Sequence, residues 1–231
     1  MNRGWQRFGR LGSRALRWTL ALLFLLLCLA VSAYAFTYMY RYHGPQDFMS
    51  AKFVLSGLDV PAHFMGAGLA LLLAPLQLSG SIRRYVPRLH RLSGGLYTAG
   101  VLIGGLGGLS LSTHATGGAA SGIAFALLAV LWMGVTGIGI RHAIAGDLAL
   151  HRRWMIRSIA LTASAITLRL TLGIGQGVLH LPFVPVYIFA AWSCWTVNLA
   201  LSELWLHWPS IRAKWLSPRP LSRVGVGVGH G

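Results

Sequence analysis

The sequence predicts an all-α fold, a polytopic membrane helix bundle of about six transmembrane helices with both termini in the cytoplasm. Composition is the first observation: 55% of the 231 residues are hydrophobic and only 10% are charged, whereas soluble domains carry about 25% charged residues. The second observation is a set of six apolar stretches, each close to the roughly 20 residues that a helix needs to cross a bilayer. The third is the placement of basic residues between those stretches.

The apolar stretches divide the chain into three parts. Residues 1–17 form a basic segment, residues 18–206 a transmembrane domain, and residues 207–231 a basic tail whose Pro, Arg and Val-Gly content predicts disorder. The spans are predicted as helices because a helix satisfies every backbone N–H and C=O within its own segment. In chain order the predicted spans are Trp18–Tyr40, Pro61–Leu78, Leu92–Ser112, Ala119–Ile140, Trp154–Ile174 and Pro185–Leu206.

The basic residues predict the orientation. Twenty Lys and Arg against four Asp and Glu give a formal charge of +16. If six helices alternate in direction, seventeen basic residues share one side of the membrane, and the other side has only Arg41 and Lys52. The seventeen comprise five before the first span, four after the second, four after the fourth and four in the tail. By the positive-inside rule the crowded side is cytoplasmic. The charge therefore indicates a multi-pass protein of the cell (inner) membrane that contacts anionic lipid headgroups, with no nucleic-acid partner.

The first span has two interpretations. Its basic start, apolar core and Ala33-Tyr34-Ala35 sequence are typical of a cleavable signal peptide. The apolar run continues to Tyr40, however, and is long enough to cross the bilayer. An uncleaved anchor is the preferred interpretation, and cleavage would leave five spans in the same orientation.

Histidines at span ends suggest a cofactor. Three follow helix-start signals and three flank other span ends, which divides them into an external layer (His63, His114, His180) and a cytoplasmic layer (His90, His142, His151). A b-type haem takes two imidazoles from opposing helices. Pairing His63 with His114 outside and His90 with His151 inside would hold two haems and carry electrons between a quinone or another redox partner and the opposite face. The only metal expected there is haem iron.

A simpler interpretation of the same histidines is contact with headgroups and water. Residues 90 and 114 would lie about 36 Å apart along one helix at 1.5 Å per residue, which is long for two stacked haems. The row Gly100, Gly104 and Gly108 likewise predicts an ordinary small-residue packing face. Both interpretations stay open on the residues alone.

Arg169 is the most unusual residue, because a cation inside a span costs about 2.5–3.5 kcal/mol at the helix centre and tends to be paired or functional. Asp59 is its predicted partner in a structural pair, and a binding site is the alternative. Glu203 has Arg153 or Arg157 as candidate partners, and Gln77 and Asn198 are predicted to hydrogen bond between helices. A cavity lined by such groups would indicate a non-enzymatic membrane subunit or a small-solute or lipid transporter without a cofactor.

Sequence signatures of enzymes are missing. The chain has no His-Glu-x-x-His zinc helix, no phosphate-binding loop and no Gly-x-Ser-x-Gly elbow, although enzymatic activity is left open. A metal site built from the histidines ranks low, since carboxylate or thiolate ligands do not accompany them. Cys28 and Cys194 are interpreted as small apolar fillers.

Three segments together resemble a known family. They are His63-Phe-Met-Gly-Ala-Gly running to Ala74-Pro-Leu-Gln77, Leu89-His-Arg-Leu-Ser-Gly-Gly-Leu-Tyr97, and His151-Arg-Arg-Trp-Met-Ile-Arg157 running to Thr167-Leu-Arg-Leu170. They resemble the bacterial predicted membrane proteins known as domain of unknown function 2306, over roughly residues 55–206. Gly95 stands where that pattern has Arg. The resemblance implies a multi-helix membrane protein without an established activity, and it marks His63, His90, His151, Arg157 and Arg169, which with His114 are the candidate cofactor-binding residues.

Overall fold

The computed structural model describes residues 3–38 and 57–216, with side chains placed for residues 15–38 and 57–208. Within these ranges the chain is helical apart from short turns and contains no strand, which confirms the all-α prediction. Six helical stretches are long and apolar enough to cross a membrane, as predicted. They are Ala15–Tyr38, Asp59–Leu78, Pro87–Ser112, Ala119–Ile144, Leu148–Val178 and Phe183–Trp208.

The helices extend slightly beyond the predicted spans. In chain order they are α1 (Arg3–Tyr38), α2 (Asp59–Leu78), α3 (Gly80–Tyr85), α4 (Pro87–Ser112), α5 (Ala119–Ile144), α6 (Leu148–Thr162), α7 (Ser164–Leu172), a π-helical turn (Gly173–Val178) and α8 (Phe183–Leu216). Helix α8 thus enters the segment predicted as a tail. Arg41 and Lys52, which are predicted to be external, and tail residues 217–231 lie outside the described residues.

Local sequence signals set several of the helix boundaries. Asp147 caps α6, because its carboxylate accepts a hydrogen bond from the Leu150 amide at 3.0 Å. Pro87 occupies the first turn of α4, where its missing N–H costs nothing. The turn between α5 and α6 contains Gly146 at φ 80°, a backbone conformation that side chains disfavour.

Helices α2 and α4 form the most extensive contact of the bundle. Their backbones touch along the predicted glycine face: a Cβ at Gly104 would lie 2.5 Å from the Ala67 nitrogen, and one at Gly66 would lie 2.4 Å from the Gly104 nitrogen. Gly100 faces the Gly66 carbonyl in the same way. The predicted small-residue packing face is therefore confirmed, and it fixes α2 against α4 on one side of the candidate site.

The fifth span is the irregular one. It is interrupted after Thr162, resumes as α7 and ends in the π-helical turn Gly173–Val178. Single π turns are frequent at functional sites. Arg169 lies on α7 one turn before this π turn, so the unusual cation and the unusual backbone occupy the same stretch.

Candidate functional site

A cavity of about 570 Å³ lies between the helices in the half of the bundle toward the predicted external face. This volume lies within the range of small-molecule sites. Its walls are mainly aliphatic and aromatic, and they include Leu71, Phe125, Leu128, Trp132, Leu168 and Cys194. The polar side chains at its surface include His63, Arg169, Tyr34 and Tyr187. The site is thus a largely apolar cavity with a few polar side chains at its surface.

Arg169 contributes the positive charge. Its Nη1 donates to the Ala165 carbonyl of its own helix at 2.9 Å, and its Cζ lies 5.1 Å from the centroid of the Tyr34 ring. The predicted Arg169–Asp59 pair is wrong: the Asp59 carboxylate instead accepts a hydrogen bond from the Ser110 hydroxyl of α4. Among the side chains that the structure describes, no carboxylate forms an ion pair with Arg169.

His63 presents its imidazole to the same cavity. Its Nδ1 lies 2.8 Å from the Gly104 carbonyl, and a carbonyl only accepts, so Nδ1 is the protonated nitrogen. In the neutral ring Nε2 is then unprotonated. Gly108 provides the space for the ring, since a Cβ there would lie 2.9 Å from Nδ1. The backbone of α4 thereby fixes both the position and the tautomer of this histidine.

His114 does not join His63 in the cavity. It is exposed beyond the end of α4, with Nδ1 2.8 Å from the Thr113 hydroxyl. His63 lies beside Gly107 and Gly108, and the six residues from Gly108 to His114 correspond to about 9 Å of helix rise. The structure therefore does not place the two predicted external haem ligands opposite each other.

His90 and His151, the histidines predicted to hold the inner haem, lie in the first turns of α4 and α6. His151 Nδ1 lies 2.8 Å from the Gly139 carbonyl, the same arrangement as at His63. His90 is half-buried, and its Nδ1 has no hydrogen-bond partner among the described residues. Gln77 lies beside it and donates to Ser93 Oγ at 2.7 Å, as predicted for an interhelical contact. His90 and His151 are close enough to interact electrostatically.

Arg157 is engaged by protein groups. It forms a two-point ion pair with Glu203, in which Nη2 lies 2.9 Å from Oε2 and Nε contacts Oε1, and it stacks 4.8 Å from the Trp154 ring. Of the two candidate partners predicted for Glu203, Arg153 and Arg157, the structure shows Arg157. Asn198 also bridges helices as predicted, since its Nδ2 donates to the Ala160 carbonyl at 3.2 Å.

A buried hydroxyl network at the middle of the bundle was missed by sequence reasoning. The Tyr97 hydroxyl lies 2.7 Å from both Ser158 Oγ and Thr162 Oγ1. Trp132 Nε1 donates to Thr162 at 2.9 Å, and Thr136 lies 2.6 Å from Ser158. Thr162 and Trp132 are the members of the network that also line the cavity, so the network reaches the cavity floor through these two side chains. The available signal was a Ser and a Thr four residues apart on one helix face, together with a mid-span Tyr.

Metal and cofactor ligands are sparse in the described parts of the chain. The side chains described, those of residues 15–38 and 57–208, include no cluster of three or more His, Cys, Asp or Glu that could hold a metal ion. His63 is the one histidine among the described residues that line the cavity. Cys28 and Cys194 are free and buried. The cavity can thus supply a cation, an imidazole and an apolar body, which together suit a molecule with an acidic head and a hydrophobic chain.

The comparisons with known proteins agree with this architecture and add no activity. No curated protein and no solved structure shows significant similarity to the chain. Residues 60–206 match the family of predicted membrane proteins DUF2306. The match covers more than half of the chain and spans every residue of the cavity from α2 to α8. The chain therefore belongs to the DUF2306 family of predicted membrane proteins.

Proposed function

We propose that the protein binds a small amphipathic acid in the cavity and acts as a membrane subunit or as a transporter of a lipid-like solute. The observation that carries the proposal is the position of Arg169 at the surface of a largely apolar cavity, without a carboxylate partner among the described side chains. The acid would pair with the guanidinium, and its chain would occupy the apolar volume.

Charge compensation is the physical reason. A cation within a span costs about 2.5–3.5 kcal/mol at the helix centre, and such residues usually pair or mark a substrate path. The Tyr34 ring and the Ala165 carbonyl compensate Arg169 only in part, because neither carries a formal charge. A ligand carboxylate would complete the pair through charge-assisted hydrogen bonds.

His63 and the hydroxyl floor explain how such a ligand would be positioned. His63 has Nδ1 bound to Gly104, which leaves Nε2 of the neutral ring to accept a hydrogen bond from a hydroxyl or amide group of the ligand, beside the carboxylate that Arg169 would hold. The hydroxyl groups of Tyr97, Ser158 and Thr162 bond to one another. Thr162, the one of these three residues that lines the cavity, therefore presents the ligand chain with a hydroxyl group that is already hydrogen bonded within the protein.

A binding titration tests the proposal. The purified protein in detergent is titrated with dansyl-undecanoic acid, and separately with its methyl ester, while dansyl fluorescence is recorded. We expect the acid to bind and Arg169→Gln to weaken it by about tenfold or more, the loss typical of an interaction with a charged group. Arg141→Gln, which removes an exposed cation at the far end of α5, is the matched control. Equal affinity for acid and ester, or unchanged binding by the Arg169 variant, would contradict the proposal.

A second candidate function is electron transfer through b-type haem with a quinone or another redox partner. It is supported by His63 and His151, whose Nδ1 atoms both face backbone carbonyls, as the second-shell bond of haem-ligating histidines requires. A reduced-minus-oxidised absorbance spectrum of protein expressed with ample haem tests it. A haem band that is lost in His63→Ala or His151→Ala and kept in His114→Ala would favour this function. A spectrum without a band would exclude it.

The membrane and orientation are also proposals. The cell (inner) membrane of a bacterium, with both termini cytoplasmic, is supported by the five arginines between Arg3 and Arg17 at the start of α1, together with the basic clusters after α2 and at the end of α5. Alkaline phosphatase fused after residue 116 should be active, and the same enzyme fused after residue 146 should be inactive. The reverse pattern would overturn the orientation.

A further inference from the structure

A second concavity lies on the lipid-facing surface, in the half of the bundle toward the predicted cytoplasmic face. It is an open groove of about 550 Å³ between α1, the middle of the fifth span (residues 156–167) and α8. Phe24, Ile156, Ala160, Ile166, Leu201 and Trp205 are among its walls. We propose that this groove is a specific site for an anionic phospholipid, with one acyl chain in the groove and the phosphate between Arg17 and Arg153. This proposal does not depend on the proposed function.

Charge complementarity selects the headgroup. Arg17 precedes Phe24 by seven residues on α1, and Arg153 precedes Ala160 by seven residues on α6. Seven residues are close to two helical turns, so each arginine lies on the groove-facing side of its helix, about 10 Å nearer the predicted cytoplasmic face. Both side chains are exposed. Each of the two helices therefore carries an arginine beyond the cytoplasmic end of the groove, at the level expected for lipid headgroups.

Neighbouring charges do not oppose this arrangement. Glu203 is the acidic residue described near the groove, and its carboxylate is paired with Arg157. Arg153 Nη2 lies 3.3 Å from His207 Nε2, which accepts the guanidinium N–H and adds no negative charge. Trp205 is 60% exposed at the same level, where aromatic rings mark the membrane interface. Among the described side chains at this end of the groove, the arginines therefore outnumber the one carboxylate.

The groove wall itself fits an acyl chain better than a polar ligand. Thr167 and Asn198 are polar residues of the wall, but Thr167 Oγ1 donates to Asn198 Oδ1 at 3.0 Å and Asn198 Nδ2 donates to the Ala160 carbonyl. Their hydrogen-bonding capacity is thus used within the protein. A basic pocket above an apolar groove between helices is the arrangement expected for an anionic lipid on the cytoplasmic side.

Lipid preference in nanodiscs tests the site. The full chain is reconstituted with equal amounts of phosphatidylglycerol and phosphatidylcholine of the same chains, re-extracted in mild detergent, and its bound lipid is measured by native mass spectrometry. We expect one phosphatidylglycerol to be retained in preference to phosphatidylcholine. In the double variant Arg17→Gln/Arg153→Gln the ratio of retained phosphatidylglycerol to retained phosphatidylcholine should fall by about fivefold for each arginine removed. Ala160→Leu, which fills the groove, should lower retention of both lipids.

The controls distinguish a site from general surface charge. Arg88→Gln/Arg141→Gln removes two exposed cations away from the groove and should keep the preference. Thermal unfolding in detergent verifies that each variant is folded, and the wild-type preference should fall as salt is raised. The proposal is overturned if the wild type shows no preference, if the Arg17/Arg153 variant keeps it, or if the control variant loses it equally.

Discussion

Arg157 and Arg169 occupy the same membrane span, twelve residues apart, and the protein treats them in opposite ways. Arg157 holds the Glu203 carboxylate with two hydrogen bonds and stacks on Trp154. Arg169 contacts the face of the Tyr34 ring and donates a hydrogen bond to the Ala165 carbonyl of its own helix. The charge of Arg157 is compensated by a carboxylate of the protein, and the ion pair links α6 to α8. Arg169 lines a cavity, where compensation can come from a ligand.

The comparison teaches that the type of residue in a span does not establish its role. A guanidinium saturated by a protein carboxylate contributes to stability, whereas one with only neutral partners is available for binding. The two halves of the bundle differ accordingly. In the predicted cytoplasmic half the helices are joined by an ion pair and by hydrogen bonds of side-chain amides, and the predicted external half contains the cavity.

Breaking the Arg157–Glu203 pair should have the largest effect on stability. Arg157→Gln leaves Glu203 without its main partner. Arg157 is 16% and Glu203 37% exposed at the side chain, so solvent screening reduces the cost to about 1–3 kcal/mol, below the value for a fully buried pair. Thermal unfolding in detergent measures it. Arg157→Gln/Glu203→Gln should recover part of the loss, and a double variant no more stable than Arg157→Gln would argue against direct pairing.

Removing one hydroxyl from the cavity floor should have the next largest effect. Tyr97→Phe leaves the Ser158 and Thr162 hydroxyl groups short of a partner in a fully buried position. We expect a loss of about 1–2 kcal/mol in unfolding free energy. Tyr85→Phe, at an exposed position on α3, is the matched control. Equal stability of the two variants would show that the network does not contribute.

The smallest effect on stability is expected at Arg169. In the ligand-free protein Arg169→Gln should change the unfolding free energy by less than about 1 kcal/mol, because the lost contacts with Tyr34 and Ala165 are offset by removal of a cation from the span. The same detergent unfolding measurement applies. Destabilisation as large as that of Arg157→Gln would mean that Arg169 is a structural residue, and the contrast between the two arginines would disappear.

The sequence was sufficient for the spans and for the charged contacts near helix ends. Hydropathy and length determine a membrane helix, and the position of Glu203 near the end of the last span limited its candidate partners to Arg153 and Arg157. The Arg169–Asp59 prediction failed because a shared membrane side does not specify which helix faces which, and Ser110 is the neighbour of Asp59. The cavity could not be predicted from the sequence for the same reason, since its walls come from seven helices. The hydroxyl network was missed because Ser and Thr hardly change the hydropathy of a span.

The glycine contact between α2 and α4 has a consequence for how the length of α4 can vary. Each residue added to an α-helix turns everything beyond it by about 100°. A single insertion between Gly100 and Gly104 would therefore rotate Gly104 and Gly107 away from α2 and direct bulkier neighbours, such as the lipid-exposed Leu106, toward its backbone. Helix α4 thus has a fixed register against α2, and changes of length are expected to be tolerated only outside the stretch from Gly100 to Gly107.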